Sequence, residues 1–137
     1  MSDLGESIEI PVAFDAAIER VTAALAAEGF GVISRIDLDT AFREKLGKEF
    51  RRYAILGACN PALAHKAVTA RPEVGLLLPC NVTVEESGTG TCVRIVDAGA
   101  MMGVGDLSET EEIRDLAADA KERLARVAAA LSKASVA

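Results

Sequence analysis

Residues 76–97, LLLPCNVTVEESGTGTCVRIVD, decide the fold. Leu76 to Glu85 reads as a strand interrupted by Pro79, and Ser87-Gly88-Thr89-Gly90 has the composition of a hairpin turn. Thr91 to Asp97 then reads as a strand returning beside the first. Strands joined by so short a connection pair antiparallel, since a parallel crossover needs a dozen residues or more.

Upstream of this hairpin, strand and helix patterns alternate. Ser7 to Val12 alternates and is rich in Ile and Val, with Pro11 marking its exit. Phe14, Ile18, Val21 and Leu25 follow at helical spacing, with Ala17 and Ala24 on the same face and Gly29 at the position of a left-handed cap. Phe30 to Leu38 reads as a strand, Asp39 as the cap of a short helix through Leu46, and Gly47 as its end. Phe50 to Ala58 reads as the next strand. Asn60-Pro61 is then a strong helix start, because an Asn side chain caps and a proline lacks only an N–H that the first turn leaves unused. That helix stops before Pro72.

Downstream, Ala98 to Asp106 holds small residues and Met101-Met102 and reads as a loop. Ser108 and Glu111 form a capping box, and Ile113, Leu116, Ala120, Leu124, Val127 and Leu131 make one face of a final helix. The order is βαβαβαββα. It predicts an α+β fold with about five mainly antiparallel strands in one sheet and helices packed on one face, in a single domain over 1–137. A doubly wound nucleotide fold is disfavoured, since Gly99, Gly103 and Gly105 do not have the G-x-G-x-x-G spacing.

With 4% aromatic residues and no Trp, the core must be built of Ala, Val, Ile and Leu. A net charge of −6 argues against a nucleic-acid-binding surface. The one basic cluster, Lys45, Lys48, Arg51 and Arg52, is flanked by Glu44 and Glu49 and reads as solvated charge, as does Glu85-Glu86 at its turn. The opening residues lack the basic and apolar regions of a signal peptide, and no apolar run is long enough to span a bilayer. Three cysteines do not read as a disulfide framework, so the expected location is the cytoplasm, with neither membrane nor nucleic acid as partner.

Glu28-Gly29-Phe30-Gly31-Val32, Leu46-Gly47, Ile55-Leu56-Gly57-Ala58-Cys59-Asn60-Pro61 and Leu76-Leu77-Leu78-Pro79-Cys80-Asn81-Val82 together resemble the domain-of-unknown-function family 302. The resemblance implies a small bacterial α+β domain, often homodimeric, with a fold likened to that of the TATA-binding protein and no agreed activity. Asp97 is followed by Ala98 where the family usually has Asp-Pro.

The two Cys-Asn segments carry what chemistry the chain offers. Cys59 precedes a helix N-terminus, whose partial positive charge favours thiolate, and Cys80 lies beside a proline that leaves a gap in the strand ladder. His65, the only histidine, lies in the helix between them. Two thiols and an imidazole are a soft-metal or redox set, although no C-x-x-C or H-x-x-H spacing is present. The leading expectation is therefore a binding domain whose pocket of Cys59, Asn60, His65, Cys80 and Asn81 holds a small ligand or soft metal ion. Cys59, Cys80 and His65 would be the metal donors, with the cofactor unspecified. The alternatives are a thiol–disulfide redox protein using Cys59 and Cys80, and a dimerising interaction module without a ligand. Simpler readings stand beside these: cysteines as buried hydrophobes (Cys92 above all), Asn60 as a helix cap, Asn81 bonding backbone beside Pro79, His65 as a surface residue, and Met101 and Met102 as loop packing.

Overall fold

A computed structural model describes residues 3–136, with side chains through residue 133. The elements are β1 (Gly5–Ile10), α1 (Phe14–Ala27), β2 (Gly31–Asp37), α2 (Leu38–Leu46), β3 (Tyr53–Cys59), α3 (Pro61–Ala70), β4 (Cys80–Ser87), β5 (Gly90–Val96), α4 (Ala98–Met101) and α5 (Glu111–Val136). Single 3-10 stretches occupy Pro72–Leu77 and Gly105–Glu109.

The five strands form one sheet in the order β1-β5-β4-β3-β2, antiparallel at every junction. Alternation sends Leu56 and Ala58 of β3, Val82 and Val84 of β4, and Val93 and Ile95 of β5 to one face. There they meet Phe14, Ala17, Val21 and Leu25 of α1 and Leu124, Val127, Ala128 and Leu131 of α5, all in one core cluster. The expected α+β sheet with helices on one face is the architecture found. Each large aliphatic in that layer is worth about 1.5–3 kcal/mol of burial. Val21, Leu25 and Leu56, at 1% exposure or less, are where truncation would be most damaging.

The differences from the sequence reading are local and have physical causes. Leu76 and Leu77 of the apolar run belong to a 3-10 stretch begun by Pro72, Leu78 is extended, and β4 starts only at Cys80, after the cis Leu78–Pro79 peptide. A short apolar run carries no period that separates strand from helix. Residues 98–106 are not a plain loop. Asp97 caps α4 through a 3.0 Å hydrogen bond from the Ala100 N–H. Ala98 is therefore the first helical residue, the position that also suits a proline. Ser108 lies inside the second 3-10 stretch, where its carbonyl accepts from Arg114, so α5 begins at Glu111 without the expected capping box. Asp39 does not cap α2 but accepts the Tyr53 N–H.

Glu85 is not solvated turn charge. Its side chain is 8% exposed, on the sheet face away from the helices, and it receives hydrogen bonds from Arg51 and, at 2.6 Å, from Arg94. Burial alone would raise its carboxyl, but the Arg94 and Arg51 hydrogen bonds outweigh that and hold it below the usual range. The rest of the basic cluster is partly engaged too. Arg52 pairs with Asp15 at 3.1 Å and lies over the Phe14 ring.

Candidate functional site

A cavity of about 50 Å³ opens at the end of the sheet where β3 stops and β4 begins. Three features of the chain bring it about. The β3–β4 register pairs Ala58 with Cys80, which sets Cys59 level with Pro79, a residue that cannot donate to the ladder. Asn60 then turns the chain into α3, its Oδ1 accepting the Leu63 N–H at 3.2 Å. Gly29, at φ 85°, lets the α1–β2 turn approach so closely that an added Cβ would lie 2.9 Å from the Asn60 Nδ2.

The lining comes from six segments, with Phe30 contributed by the α1–β2 turn. Cys59 ends β3, and Asn60 and Leu63 open α3. Pro79 and Cys80 lead into β4, Met101 and Met102 end α4, and Ile113 and Leu116 belong to α5. Nearly all of these surfaces are apolar, and the Asn60 carboxamide oxygen is already engaged by its cap. Cys80 is buried within the main core cluster, and Cys59 is half-buried. Burial pushes the Cys80 thiol up to about 11, with the neighbouring Cys59 adding to the rise. The cavity thus holds Cys80 as a neutral thiol near neutral pH.

Of the residues singled out in the sequence, Cys59, Asn60 and Cys80 come together here and His65 and Asn81 do not. On α3 it is Leu63, Ala64 and Ala67 that line the cavity, so His65 falls on the exposed side of the helix, its carbonyl accepting the Thr69 hydroxyl. Asn81 lies between the core-facing Cys80 and Val82, and strand alternation turns it to solvent on the other face. Cys92 shares that other face, opposite Glu85 and Glu9 and away from the cavity. Its thiol is raised, chiefly by burial.

Met101 and Met102 are the contributors that the sequence reading set aside as packing. Asp97 at the end of a strand, three residues before Ala100, was the available signal, since it is the cap that winds α4 and turns both methionines inward. A second small cluster of Ala67, Val74, Leu107 and Ile113 closes the far side of the cavity. Arg71 ties its two 3-10 stretches together, bonding Thr110 Oγ1 and Asp106 Oδ1, each at 2.9 Å, and Glu73 at 3.1 Å.

These features define a small α+β domain with a sulfur-lined cavity at one end of an antiparallel sheet. The chain belongs to the DUF302 family, a domain of unknown function, which matches residues 6–131. It is similar to the crystal structure of an uncharacterised conserved DUF302 protein from Bacillus stearothermophilus. The TM-score is 0.83 at 25% sequence identity, over 95% of this chain and 99% of that one. No curated protein matches the chain. Among the described residues, no helix is long and apolar enough to cross a membrane.

Proposed function

We propose that this is a binding domain for one soft metal ion, or a guest of comparable size, held in the cavity by Cys59 and Cys80. Two cysteines from neighbouring strands, both lining one small apolar cavity, carry the reading. Size narrows the guest. Drug-sized ligands occupy roughly 300–1,000 Å³ and benzene fits an apolar cavity of about 150 Å³. A volume of about 50 Å³ suits a single ion or a few atoms. Adding Cu(I) or Zn(II) to the reduced protein and counting bound metal tests this. One ion per chain is expected, lost in the Cys59→Ser, Cys80→Ser variant. Equal binding by that variant would remove the thiols from the site.

The thiol–disulfide alternative is the weaker one. A resolving cysteine must attack as thiolate, and a Cys80 pushed up to about 11 supplies little of it near neutral pH.

A second reading, a module that pairs two copies of this chain, is favoured by a different observation. No residue of the edge strand β2 or of α2 is buried; Ile33 is 65% and Ile36 52% exposed, with Leu46 and Phe50 also open nearby. A bulge at Val32/Ser34 leaves Ser34–Asp37 free to pair. Antiparallel pairing of two β2 strands about Ile36 would set Arg35 of each copy against Asp37 of the other, a complementary arrangement. The reading expects a concentration-dependent dimer in sedimentation that Ile36→Glu dissociates. A wild-type chain that stays monomeric at millimolar concentration would sink it.

A further inference from the structure

We propose that the cavity is a Cu(I) site in which the Met101 and Met102 thioethers join the Cys59 and Cys80 thiolates as donors. This rests on reading the cavity as a metal site, and it names the ion and the full donor set. Four sulfur-bearing residues line one cavity from three places in the chain: the end of β3, the start of β4 and the end of α4. Packing alone does not require this coincidence, because Met101 packs against the main core cluster and Met102 against the smaller one, yet both turn into the space between.

The donor set selects the ion. Among the described residues, no three His, Cys, Asp or Glu side chains come together as a metal cluster. Structural Zn(II) takes four nitrogen, thiolate or carboxylate donors from the protein and catalytic Zn(II) three, and this cavity offers two. Thioethers are soft and neutral, and Cu(I) accepts them where Zn(II) does not.

The protons balance simply. Cu(I) displaces one proton from each thiol to solvent as two Cu–S bonds form, and each thioether adds a lone pair with no proton change. Copper enters and stays as Cu(I), so no oxidant or reductant takes part. The resulting bis-thiolate carries one net negative charge beside the N-terminus of α3, which begins two residues after Cys59. The partial positive charge of that terminus offsets it.

The test is anaerobic titration of the reduced full chain with Cu(I) buffered by a competing chelator, joined to copper-edge X-ray absorption on selenomethionine-labelled protein. The expected result is one Cu(I) per chain with a Cu–Se scattering shell. That shell should vanish in the Met101→Leu, Met102→Leu variant, whose Cu(I) affinity should fall by about tenfold or more while any Zn(II) affinity is unchanged. These near-isosteric changes are well tolerated by cores, and the labelled wild-type chain needs no variant at all. One bound Cu(I) with no Cu–Se shell would overturn the methionine donors and leave the two-cysteine site standing. No Cu(I) bound to the wild-type chain would overturn both.

Discussion

The Pro79 ring lies against Gly57, so closely that a Cβ added to the glycine would come within 2.6 Å of the proline Cγ. Ser34 Oγ crowds the same point, but a hydroxyl can rotate away and a pyrrolidine ring cannot. Gly57→Ala should therefore push β4 away from β3 at the edge of the cavity. The expected cost is about 1–3 kcal/mol in chemical denaturation, as for other overpacked sites. A variant as stable as wild type would mean that the Pro79 segment yields freely.

The buried Glu85 makes a pH prediction of definite sign. Its carboxyl is held below the usual range in the folded chain, because hydrogen bonds from Arg94 and Arg51 outweigh its burial. Stability from that ionised group is fully present above the ordinary Glu value of about 4.3 and is lost as pH falls through the folded value. Glu85→Gln should destabilise the chain at pH 7 by about 1.5–3 kcal/mol, the range of hydrogen bonds to charged groups. The two guanidiniums are about half exposed, 53% and 47%, and resolvate, which limits the loss. Denaturant curves of the two proteins should converge as pH falls through that folded value; a constant gap would remove ionisation as the cause.

Cys80 carries the opposite sign. With its folded value near 11, the stability that the neutral thiol contributes is full below the unfolded thiol value and is lost as pH rises through about 11. Alkylation mapped by mass spectrometry should find Cys80 nearly inert at pH 8 and reactive only near pH 11. Because Cys59 adds to the rise, Cys59→Ser should lower the pH at which Cys80 reacts. Labelling of Cys80 at the rate of a free thiol at pH 8 would contradict this.

The periodic parts of the molecule were legible from residue order alone. Val21, Leu25, Leu124 and Val127 repeat at helical spacing, and the Ser87–Gly90 turn fixes two antiparallel strands. Where small residues carry no period, as at 98–106, the pattern was silent and only the Asp97 cap held information. Glu85 was misread because its partners lie 34 and 9 residues away in the chain. The site was legible at Cys59, Asn60 and Cys80, where strand end, helix cap and proline each leave a local mark. His65 was drawn in by nearness in sequence, which does not fix the side of a helix, and the two methionines were left out because their direction depends on a helix of four residues.

Arg71 offers a test of what closes the cavity. Its guanidinium joins the 3-10 stretch after α3 to the one before α5, through Glu73 on the first and Asp106 on the second, with Thr110 just beyond. Those stretches carry Val74 and Leu107, the buried residues that back the cavity's far side. Arg71→Ala removes the polar tie and leaves the apolar contacts, so the sheet and α1 should keep their exchange protection. Amide hydrogen exchange should quicken at residues 72–78 and 105–110 alone, and guest binding should become faster in both directions. Arg71→Lys keeps the charge but not the planar fork that reaches three partners, and should recover only part of the protection. Faster exchange throughout the sheet would instead make Arg71 a general stabiliser, and unchanged exchange at 72–78 would mean that Val74 and Leu107 hold the wall without it.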